Sequence, residues 1–370
     1  MLRIGWEQVR AFRARRHHLE ARVPKQEMLR VVRELCGLHA QLLSSAELTL
    51  WARVEGVRQG ELAEALWRKR TLVKTWAMRG TLHLFTPGDL PLWHGALSTY
   101  DHYLRPPWLR YFGISPAQIG ALTEAIGEAL LGRELTREEL GKAVAAKLGD
   151  ATLAAKLSQS WGTILKPAAY LGKLCFARGE PPRVRFTSPV TWVGERKPLP
   201  PERALDTVVR RFLSTHGPAG QADFARWFGL RATHARLRLA KLELAELDVE
   251  GSRLFALPED VPALRRAKPV ESVRLLPAFD QFVVSASLHA EHFMPRPLRP
   301  RVFRPQGWLS PVLFASGRMS GVWRAERKGK ALAVAIEPFT RLPAKVRRAA
   351  GEEAERLAAF HGRTLVLTWS

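Results

Sequence analysis

ALDTVVRRFLSTHGPAGQADFARWFGL, residues 204–230, decides the predicted fold together with the two segments that follow it. Its apolar residues recur every three to four positions on both sides of the GPAG turn, which predicts two helices. A basic helix is predicted over THARLRLAKLELAEL (233–247), and VEGSRLFALP (249–258) alternates like two strands that turn at Glu250-Gly251. Three helices followed by a hairpin are the order of elements in a winged helix.

The same order of elements is predicted twice more, nearer the N-terminus. In the first repeat, helices are expected over 5–21, 24–43 and 61–69, and TLVKTWAMRGTLHLF (71–85) reads as two short strands broken at Arg79-Gly80. These segments predict a first winged-helix unit.

The second repeat begins with a predicted helix over 116–130. Thr136 is the expected cap of the next helix because Glu139 stands at the capping-box position. A third helix, kinked or interrupted by a proline, is expected over 158–171. The wing that completes this repeat is KLCFARGEPPRVRFTSP, residues 173–189.

Beyond residue 270 the pattern changes to runs typical of strands. RAERKGKALAVAI (324–336) predicts a hairpin that turns at Lys328-Gly329 with basic residues at its tip. A helix is expected at about 343–361. The strand-like runs of this part are VRLLPAFDQFVVS, GRMSGVWRAE, KALAVAIEPF and RTLVLTWS.

The predicted fold class is therefore mainly α with small β-sheets (α+β), with tandem winged helices and a C-terminal β-rich subdomain. Proline clusters separate the predicted units. The predicted domains are an N-terminal unit at 1–105, a second winged helix at 106–200, a third at 201–268 and an α+β subdomain at 269–370.

The charge of the chain narrows the class of partner. Lys and Arg total 58 against 35 Asp and Glu, which gives a formal net charge of +23. Such a charge attracts polyanions and supplies salt-dependent affinity for phosphate backbones. The chain also contains more Arg than Lys, which is consistent with binding to phosphates. A GC-rich or heat-adapted genome is an alternative cause of this bias, but it would not by itself produce the net charge. Nucleic acid is the first expected partner and an acidic membrane the second.

Several classes of function are disfavoured by what the sequence lacks. Its two cysteines, Cys36 and Cys175, have no Cys or His neighbour at metal-ligand spacing, so neither a disulfide scaffold nor structural zinc is expected. The sequence has no signal-peptide pattern, no apolar run of about 20 residues, no phosphate-binding glycine loop and no GxSxG elbow. We expect a cytoplasmic, nucleoid-associated protein with no metal and no cofactor.

The short motif GLHAQLLSS, residues 37–45, carries the candidate catalytic pair His39 and Gln41. A glutamine amide donates and accepts hydrogen bonds at once and neutral histidine can accept a proton, so the pair could hold and activate a water molecule. On a regular helix the two side chains would lie about 200° apart, so they can face one cavity only at a distorted or ending turn. The alternative is a satisfied polar pair at a helix end.

Two further groups are candidates for contacting DNA. Arg79, Thr81 and His83 alternate and would share one strand face, where Gly80 would permit close approach of a phosphate or sugar; a buried structural network is the alternative. The predicted basic helix offers a second group, whose alternative is an ordinary solvated face. Its members are Arg231, Arg236 and Arg238, with His234 and Lys241 beside them.

His289, Glu291 and His292 form the sequence HAEH. Two histidines three positions apart without a third ligand in view are poor evidence for zinc, so no metal site is predicted there.

Taken in order, LHAQLLSS, WAMRGTLHLF, LLPAFDQFV and SPVLFASGRMSGVW resemble the AlkZ/YcaQ superfamily of winged-helix DNA glycosylases over nearly the full length of the chain. The resemblance implies a C-shaped monomer built from tandem winged helices and a small β-rich part. It also implies excision of alkylated, cationic purines from double-stranded DNA, in some members from interstrand crosslinks.

The resemblance also assigns roles to residues. The family signature of Gln, an apolar residue and then Gln or Asp falls on His39, Ala40 and Gln41, a His variant of the AlkZ-like branch. It implies that Gln41 positions the attacking water and that His39 assists its orientation or accepts its proton. No lyase activity is expected because the motif has no nucleophilic lysine. Candidates for DNA contact are Ser44 near the motif and, at the basic hairpin, Arg324, Arg327, Lys328 and Lys330.

The sequence thus predicts a monofunctional, metal-independent DNA glycosylase. The rival hypothesis is a non-enzymatic winged-helix DNA-binding protein, a regulator or architectural factor, and a nuclease is a distant third. A regulator should dimerise and prefer a sequence, whereas a glycosylase should be monomeric and sensitive to lesions.

Overall fold

The fold is that of a computed structural model, which describes residues 2–150, 152, 155–157, 162–180, 183–286 and 288–370. The chain forms two compact units, each assembled from segments that are distant in sequence. The first unit combines Met1–Leu62, Val209–Trp227 and Arg231–Ser370, and the second combines Ala63–Val208 with Phe228–Leu230. The division into four domains stays a prediction.

The fold class is confirmed as mainly α with small sheets. The longer helices are Trp6–Arg16, Met28–Glu34, Leu43–Trp51, Leu90–Leu97, Pro106–Phe112, Pro116–Leu130, Arg137–Leu148, Pro201–His216, Gln221–Phe228, Ala232–Ala240 and Ala344–Phe360. Short helices are Glu61–Ala63, Lys166–Tyr170, Pro189–Val193, Val261–Arg265, Gln281–Ser285, Ala290–Phe293 and Arg299–Val302, and a π-helical turn spans Glu64–Arg68. No helix in the described part of the chain is long and apolar enough to cross a membrane.

The first unit contains two sheets around one apolar core. In the three-stranded sheet, Leu2–Ile4 runs parallel to Ala245–Val249, which pairs with Ser252–Ala256. The core buries large rings such as those of Trp6, Trp51 and Phe282. The five-stranded sheet has the order Val273–Leu276, Val312–Ala315, Arg318–Lys328, Ala331–Pro338 and Thr364–Trp369.

The second unit contains two small sets of strands. Val73–Trp76 and Leu82–Phe85 form the predicted hairpin. Leu135–Thr136, Arg185–Thr187 and Cys175–Ala177 form a sheet in that order, and the last two strands are the predicted wing. Thr136 caps its helix as predicted, since its hydroxyl accepts the Glu139 backbone N–H at 3.2 Å. The Glu139 carboxylate in turn accepts the Thr136 backbone N–H at 2.7 Å.

One predicted helix is wrong in a way that matters for the site. The helix expected over 24–43 ends at Glu34, because Cys36 and Gly37 both adopt left-handed backbone conformations with φ of 61° and 88°. The chain then runs extended through Leu38–His39, and a helix that the pattern did not predict begins at Leu43.

Other boundaries also moved. The predicted helix 5–21 ends at Arg16, and the basic helix expected over 233–247 ends at Ala240. In VRLLPAFDQFVVS only Val273–Leu276 is a strand, because the Asp280 carboxylate accepts the Phe282 N–H and starts a short helix. The helix expected over 158–171 is observed as Lys166–Tyr170, and residues 158–161 lie outside the described ones.

Candidate active site

The motif that contains His39 and Gln41 is a short non-helical connection between two helices. The preceding helix ends with a bond from the Gly37 N–H to the Val32 carbonyl at 2.9 Å, which closes its last turn. The strand Leu38–His39 follows the break at Cys36 and Gly37, and Gln41 lies at a bend just before the helix Leu43–Trp51. Both side chains leave a non-helical segment, so the separation of about 200° expected on a continuous helix does not apply to them.

The two motif side chains differ in exposure. His39 is 7% exposed, whereas Gln41 is exposed to solvent. Ser44 is also exposed, in the first turn of the helix Leu43–Trp51, whose N-cap Leu42 contributes no capping hydrogen bond from its side chain. Gln41 is therefore more open to a ligand from solvent than His39.

The segment Phe279–Gln281 supports the motif from within the first unit. The Phe279 ring stacks on the His39 imidazole, with centroids 4.9 Å apart and an angle of 14°. The Gln281 amide donates to the Gly37 carbonyl at 2.7 Å, and the Gln281 side chain is buried. These contacts fix both the motif backbone and the imidazole plane.

A buried ion pair anchors this support. The guanidinium of Arg53 donates twice to the Asp280 carboxylate, at 2.7 and 2.8 Å, and both side chains are fully buried. Arg53 also donates to the carbonyls of His17 and Thr49 at 2.8 and 3.0 Å. Because Arg53 bonds both the Asp280 carboxylate and the Thr49 carbonyl, the pair ties the helix after the motif to the segment Phe279–Gln281.

Sequence patterning missed these supporting residues. LLPAFDQFV carried a signal, because it belongs to the motifs of the resemblance, but nothing in the spacing assigned Asp280 to a partner. Arg53 and Asp280 are 227 residues apart, a separation at which a single sequence offers no pairing rule.

In the second unit, Arg79, Thr81 and His83 do not form the predicted common face. Arg79 lies in a tight turn with a left-handed φ of 57°, outside the strand Leu82–Phe85. Thr81 donates to the Met78 carbonyl at 3.0 Å. His83 is fully buried with its ring parallel to that of Phe85, so the expectation that it contacts DNA is corrected in favour of the structural alternative.

Gly80 in the same turn is closely packed. A Cβ at this position would lie 3.1 Å from the Lys166 amine and 3.2 Å from the Tyr170 hydroxyl. Gly80 also has a φ of +68°, so both its backbone and its surroundings favour glycine. Burial lowers the pKa of Lys166, a cation near this turn that the sequence pattern did not predict.

The basic helix presents its candidates on two sides. Arg231 is the exposed N-cap residue and Arg236 is exposed, whereas Arg238 is half-buried. On a regular helix Arg236 and Arg238 are about 200° apart, so their side chains leave the helix on different sides. The inward side is formed by Ala235 and Leu239.

The predicted hairpin of the first unit is confirmed. The strands Arg318–Lys328 and Ala331–Pro338 pair antiparallel, with Lys328 opposite Ala331 and a left-handed Gly329 in the turn. Two acidic residues approach these cations, since Arg324 lies 3.5 Å from Glu337 and Lys328 lies 3.5 Å from Glu326. All four predicted contact residues are exposed: Arg324, Arg327, Lys328 and Lys330.

The structure brings the side chains of HAEH together, with one potential ligand atom from each of His289, Glu291 and His292 within 4.8 Å of the others. Both imidazoles also have structural partners. His289 contacts the Asp223 carboxylate at 3.1 Å, and His292 stacks on Trp6 with centroids 4.0 Å apart. The absence of a metal from the function stays a prediction.

Comparison with known proteins identifies the family of the chain. A family model described as DNA glycosylase AlkZ-like matches residues 32–360. The chain is 35% identical over 370 residues to an interstrand DNA cross-link repair glycosylase from Streptomyces sahachiroi, and the match covers 98% of each protein. The solved structure of Streptomyces sahachiroi DNA glycosylase AlkZ superposes with a TM-score of 0.90 at 33% identity and covers 100% of both chains.

Proposed function

The chain belongs to the AlkZ-like DNA glycosylase family, and from this premise we propose that Gln41 and His39 direct water to the N-glycosidic bond of alkylated, cationic purines in double-stranded DNA. The chain is thus a DNA-repair enzyme, and the rival hypothesis of a non-enzymatic DNA-binding protein is not favoured. The observation that carries the proposal is an exposed Gln41 two positions after His39, whose nearly buried imidazole is stacked on Phe279.

The proposed reaction is a hydrolysis. Alkylation at N7 or N3 places a positive charge on the purine, so the bond from N9 to C1′ breaks with its electron pair going to the base. The base leaves neutral, the oxygen of water bonds to C1′, and one water proton passes to His39 or to solvent. The Gln41 amide orients the water by accepting from it and donating to it.

The residue types suit an activated leaving group. The motif contains no carboxylate, so it lacks the strong general base that would be needed to remove an uncharged nucleobase. A cationic purine departs with little help, and placing the water correctly supplies most of what remains. We therefore expect selectivity for charged lesions.

DNA binding rests on charge in this proposal. The formal net charge of +23 and the exposed cations of the hairpin supply contacts to phosphates that carry no sequence information. We propose that the protein acts as a monomer and is indifferent to sequence. Ser44, Arg79, Thr81, Arg231, Arg236 and Arg238 remain candidates for DNA contact.

Interstrand crosslinks are a second proposed substrate. The Streptomyces sahachiroi relative is described as an interstrand DNA cross-link repair glycosylase, and the match to it covers 98% of each protein. A purine alkylated at N7 by a bifunctional agent carries the same cationic leaving group as a methylated one, so the same water chemistry applies.

The deciding experiment is release of 7-methylguanine from alkylated duplex DNA in EDTA. We expect Gln41→Ala to lower the single-turnover rate by about 10² to 10³ while DNA affinity stays unchanged, because a positioned catalytic group is lost. His39→Ala should be slower than wild type by a smaller factor. Gln59→Ala is the matched control, since Gln59 is an exposed glutamine outside the motif.

Two outcomes would contradict the proposal. Unchanged release by Gln41→Ala would remove Gln41 from the mechanism. No release by the wild-type protein, from either methylated or crosslinked DNA, with salt-dependent binding intact, would overturn the proposed substrate.

A further inference from the structure

An aromatic column leads from the motif to the protein surface. The Phe279 ring stacks on His39, and it meets the Trp308 indole edge to face, with centroids 4.9 Å apart and an angle of 72°. Each step between neighbouring rings is therefore 4.9 Å. We call His39, Phe279 and Trp308 the aromatic column.

The outer end of the column is unusually open for a tryptophan. Trp308 is 44% exposed, and among the described residues no other tryptophan is classed as exposed. The contact with Phe279 leaves this fraction of the Trp308 side chain open to solvent, where it can meet a ligand. An indole has a large apolar body and a polar N–H, and a tryptophan that is partly open and held by a neighbouring ring is suited to contact a ligand.

The backbone holds Trp308 in this position. Gln306 and Gly307, directly before it, are left-handed with φ of 59° and 76°, and Phe279 itself has a φ of 60°. The Trp308 carbonyl accepts the Arg304 N–H at 2.9 Å, which closes the turn. Left-handed residues other than glycine are costly and cluster at functional sites.

The chemistry of the open face matches one part of the substrate. An indole presents the most electron-rich face of the natural side chains, and it attracts cations and flat rings. An N7-alkylated purine is both flat and positively charged, whereas an undamaged purine is only flat. An aromatic face near the motif can therefore distinguish the lesion by its charge.

We infer that Trp308 binds the cationic purine ring of the lesion and acts as a specificity-determining residue. The inference rests on the proposed function, since it names how the same site selects its base. Phe279 is the positioning residue in this arrangement because it contacts both Trp308 and His39.

Binding to DNA that is not cleaved tests the inference separately from catalysis. The probe is a duplex with one 2′-fluorinated N7-methylguanosine, whose sugar fluorine suppresses hydrolysis, and the reference is the same duplex with 2′-fluorinated guanosine. We expect the wild-type protein to prefer the charged duplex about tenfold. Trp308→Leu should abolish this preference, and Trp308→Phe should retain part of it.

Tyr111→Leu is the control, because Tyr111 is an aromatic residue that is 83% exposed and belongs to the second unit. It should leave the preference unchanged. An unchanged preference in Trp308→Leu, or an equal loss of affinity for both duplexes, would overturn the inference, as would a wild-type protein without any preference. Urea unfolding of each variant verifies that the fold is intact.

The two proposals fail separately. Gln41→Ala should lose release of 7-methylguanine and keep the binding preference for the charged duplex. Trp308→Leu should lose the preference and retain a measurable rate, slower than wild type by about tenfold. A protein that prefers the charged duplex without releasing the base would support the role of Trp308 and contradict the proposed hydrolysis.

Discussion

The support beneath the motif and the basic hairpin are both parts of the first unit, yet they are built in opposite ways. Beneath the motif, Arg53 and Asp280 are fully buried and joined by two short hydrogen bonds. On the hairpin, Lys328 and Glu326 lie 3.5 Å apart with both side chains largely in solvent. A buried pair fixes one geometry, whereas an exposed pair leaves its charges free to rearrange on a phosphate backbone.

This difference teaches what each region needs. In the proposed mechanism, water attack requires side chains held in place, so we expect the motif to depend on a buried network that tolerates little change. Binding without regard to sequence requires total positive charge, so single hairpin residues are replaceable. The comparison predicts large effects on folding from the support and small ones from the hairpin.

Asp280→Asn should have the largest effect, because it leaves the Arg53 guanidinium buried without a counter-charge. We expect the free energy of unfolding of the first unit to fall by about 3 to 5 kcal/mol. Glu326→Gln is the matched control on the hairpin and should change it by less than about 1 kcal/mol. Urea unfolding of both variants measures the difference, and equal effects would refute the contrast between the two regions.

Replacing Arg324, Arg327, Lys328 and Lys330 with glutamine should leave folding nearly unchanged and alter binding. A plot of log affinity against log salt concentration has a negative slope, and each phosphate contact that is lost should make this slope less steep by about 0.9. Fluorescence anisotropy with undamaged duplex at several salt concentrations measures this slope. A slope equal to that of the wild type would exclude the hairpin from the DNA interface.

The smallest expected effect is on the pH dependence of stability, and it comes from the partly exposed pair of His18 and Glu34. The hydrogen bond from His18 to Glu34, at 2.6 Å, holds the pKa of the Glu34 carboxyl below its usual value, and Arg30 contributes further. A lowered carboxyl pKa contributes stability above its unfolded value of about 4.3, and this is lost as the pH falls. Because Glu34 is partly exposed, the contribution is a few tenths of a kcal/mol.

Comparing urea midpoints of wild type and Glu34→Gln tests this expectation. The wild type should have the higher midpoint at pH 6, and the difference should shrink as the pH falls below about 4. A difference that grows on acidification would contradict the assigned direction of the shift.

Periodicity predicted the fold better than it predicted the site. The helix Pro201–His216, the hairpin at 324–336 and the capping box at Thr136 follow from spacing, because each depends on residues close in sequence. The break after Glu34 was not predictable, since Cys36 is a residue type that seldom adopts a left-handed φ.

Residue types singled out His39 and Gln41 and the resemblance assigned them roles, whereas neither identified the contacts that surround the motif. His39 and Gln41 are two positions apart in the chain, so the sequence displays them together. Phe279 and Trp308 reach the motif only through the folded core, and no spacing rule connects them to His39.

The separation of the residues that form the site has a consequence for biosynthesis. Leu2–Ile4 cannot pair with its partner strand until Leu247–Val249 has been synthesised. Arg53 likewise lacks its partner Asp280 until 227 further residues have been added. A nascent chain on the ribosome therefore carries the whole motif long before it carries the residues that hold it in place. A polypeptide truncated before residue 280 would keep the motif and many of its cations but lack Asp280, the partner of Arg53. We expect it to bind nucleic acid through its charge and to have no repair activity.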